Sequence, residues 1–399
     1  MTHVTAAGES AYKRSGKAQA REERAGGRMR KKFRVFSARA GMDLPFLFLV
    51  LTLVVVGLVM MFSASYANAA YYQGDSYYYI KKQLIFAVLG IVLMIALSYF
   101  DYHHFHKLAL PVLLLSIALL GLVLVLPARS GVHRWIPLGP LGQFQPSEVA
   151  KFSIILMFAH LISLNFSRMG TLRYGVIPYL LILAPVCLLL YKEPHISGMI
   201  IVAVLGMVML FVGGVKLRWF ALLASAMGAA VVYVVVFSQK LGYTSTRLSG
   251  WLDPLSTWQT RQSLYAIGSG GLLGVGLGQS RQKYLWLPEP ENDFVFSVIC
   301  EELGFLGALI IITLFVMLVW RGITVALHAQ DKFGMLLGIG LVVQVGLQTI
   351  LNIAVVTNTI PNTGISLPFF SYGGTSLVIL LAEMGIVLSI SRTSSAEKT

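Results

Sequence analysis

The chain has 399 residues, of which 56% are hydrophobic and 12% charged, against about 25% charged in an ordinary soluble domain. A mean hydropathy of +0.75 excludes a water-solvated globule and makes the bilayer the main solvent. The formal charge of +14 is concentrated at one end rather than spread as a binding face, which argues against nucleic acid as a partner.

Residues 1–42 hold eleven Lys or Arg against three acids, a net +8, ahead of the first apolar run. With no hydrophobic segment of its own this tail is not a signal peptide; it reads as a disordered cytoplasmic segment drawn to anionic headgroups. Apolar runs long enough to span follow at roughly 44–66, 82–100, 108–127, 148–165, 174–191, 197–214, 218–238, 295–320, 334–359 and 375–391. The expected fold is therefore all-α, a polytopic bundle of about ten transmembrane helices over 43–391, with both termini cytoplasmic and a short tail at 392–399. Lys107, Arg168, Arg173, Lys216, Arg218, Arg321 and Lys332 then fall on the cytoplasmic side, as the positive-inside rule requires. Cys187 and Cys300 lie within or beside apolar runs and suggest neither a disulfide framework nor a metal site.

The same orientation puts loops 128–147, 239–294 and 360–374 outside. The longest, about 239–294, carries Lys240, Arg247, Arg261, Arg281 and Lys283 on the side where cations are scarce. An anionic ligand at the outer leaflet explains them; weak charge constraint on a long translocated loop is the alternative. Its glycine-rich GSGGLLGVGLGQS (268–280) follows no predicted strand and lacks dinucleotide spacing, so it is read as permitting close helix contacts or a re-entrant turn. No P-loop, H-E-x-x-H or G-x-S-x-G occurs, which leaves nucleotide hydrolysis, zinc proteolysis and serine-hydrolase chemistry without support.

Several polar residues fall where lipid would not tolerate them. Gln344, Gln348 and Asn352 recur every four residues on the ninth span and must face inward, as interhelical glue before ligand contact. Glu148 and Lys151 stand three apart at the start of the fourth span, close enough to pair as a structural clamp or a functional pathway. At least one of Glu301, Glu302 and Glu383 is expected to face the bundle interior. His103, His104 and His106 are read as interfacial rather than metal-binding, and His195 as a turn residue. Glu289, Glu291 and Asp293 lie just before the eighth span, after the basic and aromatic RQKYLWLP; a carboxylate there is either poised as a general base or an idle loop acid.

The segments GVHRWIPLG (131–139), QFQPSEVAKF (143–152), RLSGWLDP (247–254), QSLYAIGSGGLLGVGLGQSRQKYLWLPEPENDFVFSVICEELGF (262–305) and NTGISLPFFSYGGTSL (362–377) resemble, in order, signatures of the SEDS (shape, elongation, division and sporulation) family of peptidoglycan glycosyltransferases. The S-R-Q-K-Y-x-x-L-P-E stretch is closest to the FtsW and SpoVE branch. The resemblance implies that Asp293 is the catalytic aspartate and that Trp135, Glu148 and Lys151 fall on other positions tied to activity. One departure matters: a turn that reads E/Q-P-D-x-G-T in many relatives is E-P-H-I-S-G here, so the role of that aspartate does not pass to His195. The family's S-Y-G-G-S-S becomes SYGGTS at 371–376, a conservative change.

The resemblance further implies lipid II, a disaccharide-pentapeptide on undecaprenyl pyrophosphate, as substrate, and a β-1,4 glycan strand as product. An α-linked donor giving a β product needs one in-line displacement, with one base at the acceptor 4-hydroxyl and no covalent nucleophile. Asp293 is the expected base. Arg247, Arg261, Arg281 and Lys283 are expected around the leaving pyrophosphate, with a divalent cation, magnesium or manganese, as the alternative. A class B penicillin-binding protein transpeptidase and other division proteins are the implied partners, and the bacterial cytoplasmic membrane the location, with the active loops outside. Two rival readings are a lipid II flippase, which would depend on Glu148, Lys151 and the polar stripe, and a non-catalytic divisome scaffold.

Overall fold

The computed structural model describes residues 41–127, 134–137, 139, 142–237 and 250–393. The basic tail up to residue 40, Lys240, Arg247 and residues 394–399 lie outside the described residues. Ten apolar helices occur among those described, at the ten expected positions: α1 (Leu44–Gln73), α2 (Tyr78–Tyr99), α3 (Phe105–Val125), α4 (Pro146–Asn165), α5 (Ile177–Lys192), α6 (Ile196–Val212), α7 (Leu217–Phe237), and, after an interposed helix α8 (Trp258–Ser269), α9 (Val295–Leu327), α10 (Lys332–Val356) and α11 (Gly374–Thr393). Eight are long and apolar enough to cross a bilayer; α6 and the apolar stretch Leu217–Ala229 of α7 are shorter. A two-residue hairpin, β1 (Ile136–Pro137) against β2 (Gln143–Phe144), precedes α4.

The helix ends follow from local chemistry. Asp43 caps α1, accepting the Phe46 N–H at 2.9 Å, with Pro45 in the first turn; the helix stops at Gly74, whose φ of 70° turns the chain while its N–H reaches the Ala70 carbonyl. The Asp43 carboxylate also holds Arg321 of α9 through two bonds of 3.0 and 2.7 Å, which ties the first helix to the end of α9. Between α2 and α11 small residues let backbones meet: a Cβ on Gly385 would sit 2.5 Å from the Met94 carbonyl oxygen.

The expected loop 239–294 contains a helix, α8. No apolar period marked this helix in the sequence, since its inward face is Thr260, Gln262, Ser263 and Ala266. The glycine-rich run after it is a turn that fills a break in α9, the close helix contact its small residues were expected to permit. At Gly304 the α9 backbone leaves helical geometry (φ 67°, ψ −169°). The freed carbonyls of Glu301 and Glu302 accept the N–H groups of Val275 and Gly276, and the N–H groups of Phe305 and Leu306 bond the carbonyls of Gly271 and Leu272. A membrane helix tolerates such a break only when protein supplies those partners. The approach is so close that a Cβ on Gly274 would lie 2.1 Å from the Glu302 carbonyl oxygen, and Gly274 has a φ of +80°.

Candidate functional site

Among the described residues, Trp135, Glu148, Lys151, Arg261, Arg281, Lys283 and Asp293 lie at the end of the bundle where α1 finishes, here called the site end. Asp293 is half-buried just ahead of α9. Its backbone is pinned from two sides. The carbonyls of Glu291, Asn292 and Asp293 each accept from a different donor: the Tyr372 N–H (2.7 Å), the Ser371 hydroxyl (2.5 Å) and the Asn352 side-chain amide (2.8 Å). The same Asn352 amide reaches the Ile365 carbonyl at 2.6 Å, so one buried α10 side chain joins the strand carrying Asp293 to the loop before α11. That loop passes Gly364 over the Asp293 carboxylate: a Cβ there would be 3.0 Å from Oδ2, and the φ of +70° favours glycine for a second reason.

Neighbours fix this seat further. Glu291, 5% exposed, accepts from Asn68 of α1 at 2.9 Å, and burial raises its carboxyl pKa above the usual range. Burial also lifts the nearby Tyr372 phenol to about 12. Gln83 of α2 binds the 371–373 stretch on both sides, donating to the Ser371 carbonyl and accepting from the Gly373 N–H. Thr375 donates to the Gln143 carbonyl at 3.0 Å, which brings the β-hairpin with Arg134 and Trp135 to the same end. Trp135 is 36% exposed there.

Glu148 and Lys151 form the ion pair expected from their spacing, 2.8 Å apart and buried on α4. Deeper along α11, Glu383 accepts from Gln344 at 2.9 Å, which bridges α10 and α11, and Gln348 and Asn352 continue the same buried face of α10. On the other flank Arg134 donates to the Pro194 carbonyl beside Glu193 and His195, both buried. Burial raises Glu193 to about 8 against the pull of Arg134, and burial with the charges of Arg134 and Lys151 lowers His195 to about 3. His195 is thus more than an exposed turn residue: it is 7% exposed and sits within the influence of Lys151. Buried polar atoms without a partner concentrate here, among them Arg134 Nε, Ser147 Oγ, Glu193 Oε1, His195 Nδ1, Gln344 Oε1 and Glu383 Oε1.

The loop cations divide. Lys283, expected around an anionic ligand, is corrected: it is 2% exposed, with its ammonium 2.8 Å from Glu302 and 3.0 Å from the Ser63 hydroxyl of α1. Glu302 takes two further donors, Ser63 Oγ and the Ser280 N–H, and Glu301 caps the same turn through Ser280 Oγ and the Arg281 N–H. Lys283 therefore clamps the segment to α9 and α1. The Arg261 guanidinium lies 5.0 Å from the Trp258 ring centre, and the Arg281 side chain is exposed. Arg247 lies outside the described residues. Among the described residues no three His, Cys, Asp or Glu side chains gather to hold a metal ion. His103 instead contacts Asp101 and lies 3.8 Å from Asp331 at the opposite end.

Sequence reading missed Arg134, Glu193, Ser63 and Asn68. The last two carried a signal: polar side chains near the end of an apolar run need partners.

Comparison with known proteins shows the family and the fold. The family model described as cell cycle protein, covering FtsW, RodA and SpoVE, matches residues 44–396. Stage V sporulation protein E of Bacillus subtilis is 38% identical over 88% of this chain and 97% of its own. A protein of Trichlorobacter lovleyi named a probable peptidoglycan glycosyltransferase FtsW is 40% identical over 91% of this chain and 95% of its own. Among solved structures, a chain of a peptidoglycan synthase complex, described for its structural coordination of polymerization and crosslinking, superposes with a TM-score of 0.73 at 29% identity, covering 88% of this chain and 98% of that one.

Proposed function

This chain belongs to the cell cycle protein family of FtsW, RodA and SpoVE, and from that premise we propose that it polymerises lipid II into β-1,4 glycan strands with Asp293 as general base. Peptidoglycan glycosyl transfer is the activity for which its relatives are named, and it is the activity of this multi-pass membrane protein. The site end faces outward in this reading, supported by Lys107, Arg168, Arg173, Lys216, Arg218 and Lys332 on loops and helix ends at the opposite end.

The observation that carries the reading is the seat of Asp293: a half-buried carboxylate under Gly364, on a backbone held by Asn352, Ser371 and Tyr372. A base fixed in this way can take the proton of an acceptor hydroxyl as it attacks the anomeric carbon, and general-base catalysis of this kind is worth about 10²–10⁴-fold. The pyrophosphate leaves on the opposite side of that carbon. It is itself a good leaving group, so no ATP is needed. Arg281, Arg261 and the Arg134–Lys151 flank are the cations proposed to meet its charge, with Glu148 and Trp135 as further substrate contacts. Division is the process favoured by the FtsW resemblance. A class B penicillin-binding protein transpeptidase is the proposed partner, supported by the likeness to a chain of a peptidoglycan synthase complex; other division proteins extend that proposal.

The test is glycan-strand formation from purified lipid II by the reconstituted chain with a class B transpeptidase. Asp293→Ala and Asp293→Asn are expected to abolish polymer while leaving the fold and partner binding intact. Polymer at wild-type rate from either variant refutes the assignment. Movement of lipid II between leaflets without polymer would establish a flippase instead.

A further inference from the structure

The described segment 258–287, ahead of α9, has its polarity reversed. Along α8, Thr260, Gln262, Ser263 and Ala266 face the protein, and Ser263 bonds both Ser297 and the Val356 carbonyl at 2.8 Å. Trp258 and Tyr265 face away, 45% and 50% exposed. A helix bathed in water shows the opposite arrangement. The turn that follows continues the pattern: Leu272, Leu273 and Leu277 are 70%, 77% and 55% exposed, while the Gly271 and Leu272 carbonyls and the Val275 and Gly276 N–H groups bond across to the α9 break. Apolar groups outward and polar groups inward, with part of the turn's backbone paired to α9, are the marks of a surface that meets lipid.

Two helices measure its depth. The Asp43–Arg321 ion pair, partly exposed at the end of the bundle opposite the site, is taken as one boundary of the bilayer. At about 1.5 Å per residue and about 30 Å of hydrocarbon, the other boundary lies about 20 residues along each helix. Counted back from Arg321 it falls beside Glu302, and counted forward from Asp43 it falls at Ser63. These two side chains are hydrogen-bonded to each other at 2.7 Å, so the counts agree. The Leu272 carbonyl pairs with the N–H of Leu306, one helical turn inside that line. At the rim, Trp258 stacks on Trp286 at 5.9 Å and donates to its carbonyl, and Arg261 lies on the Trp258 ring. Indole and guanidinium are the groups that sit at headgroup level.

We propose that residues 258–287 form a re-entrant hairpin whose tip, Leu272, Leu273 and Leu277, is immersed in the acyl chains of the leaflet at the site end, with Trp258, Trp286 and Arg261 at its headgroups. The hairpin runs through the Lys283–Glu302 clamp toward Glu291 and Asp293, so contact with lipid sets the depth of the acid cluster. The inference concerns membrane contact alone and holds whichever chemistry Asp293 performs.

The test places a nitroxide on Leu273→Cys or Leu277→Cys in a Cys187→Ser, Cys300→Ser background, with the full chain reconstituted in phosphatidylcholine–phosphatidylglycerol vesicles. Collision with oxygen is expected to exceed collision with a water-soluble nickel chelate several-fold at both sites and to fall below it for an Asp253→Cys control. Nickel access at the leucines comparable to the control overturns the proposal, and so does protection from both reagents, which would mean a protein cover. Should the cysteine-free chain fail to fold, a benzophenone amino acid at Leu273 in the native-cysteine chain answers the same question. Lipid adducts support immersion; adducts to protein alone, or none, overturn it.

Discussion

Two buried lysine–glutamate pairs lie at the same end of this molecule with the same 2.8 Å separation, and they differ in everything around them. At Lys283–Glu302 every charge is spoken for: Ser63 and the Ser280 N–H complete the carboxylate, and Ser63 also accepts from the ammonium. At Glu148–Lys151 the salt bridge stands beside side chains whose buried polar atoms have no partner, among them His195 Nδ1, Glu383 Oε1 and Ser147 Oγ. Distance alone therefore does not separate a clamp from a working group. Closure of the surrounding hydrogen bonds does, because an unfilled set of donors and acceptors leaves room for water or a polar ligand.

Removing one partner of each pair is the sharpest way to break this contrast. Lys283→Met strands a buried carboxylate and is expected to cost about 3–5 kcal/mol, read as a lowered thermal midpoint in detergent, with Lys283→Met/Glu302→Gln recovering part of it. Lys151→Met is expected to cost about 1–2 kcal/mol, since its polar surroundings can hydrate Glu148, while glycan-strand formation falls at least about tenfold. Equal losses of stability from the two substitutions would erase the distinction.

A smaller effect follows from Asn352. Replacing it with Leu leaves the Asp293 and Ile365 carbonyls without their donor, at about 1–3 kcal/mol and with a fall in polymer formation beyond what the lost folded fraction explains. Activity that merely tracks folded protein would reduce Asn352 to a structural role.

The smallest net effect expected is in the pH profile of stability, where His195 and Glu193 offset each other over the shared part of their ranges. The His195 imidazole, near 6.5 when free, is held neutral down to about 3, so the unfolded chain binds the extra proton in between. Its contribution is full above pH 6.5 and is lost as pH falls toward 3, at up to about 1.4 kcal/mol per unit. Glu193 acts in the opposite sense: raised from 4.5 to about 8, it favours the fold when protonated, and that contribution drains away as pH rises through this window. His195→Asn should flatten only the acid limb of the thermal-midpoint profile, and Glu193→Gln only the alkaline limb. An unchanged acid limb in His195→Asn would place the titration elsewhere.

What the sequence made legible follows the same division. The ten apolar helices could be read because a bilayer demands about 20 apolar residues in a row, and the Glu148–Lys151 pair because three residues on a helix share a face. The helix α8 could not be read, since its inward face is small and polar and its outward face carries only scattered aromatics. Lys283 was misjudged because a charge on the scarce side of a membrane reveals a sign but no partner, and Glu302 stands on another element. His195 looked like an ordinary turn residue because burial is a property of the packing of α4, α5 and α6. The role proposed for Asp293 rests on family resemblance; the structure adds the seat, in which Gly364 and Asn352 do what no local pattern announces.

The central claim is that Asp293 performs chemistry rather than holding the site together. Its most direct test is Asp293→Asn in the reconstituted complex, with lipid II binding and strand formation measured on the same sample. Binding within about threefold of wild type with polymer reduced at least about a hundredfold is the predicted result, as loss of a general base requires. Polymer near the wild-type rate, or binding and polymer lost in proportion, would contradict it.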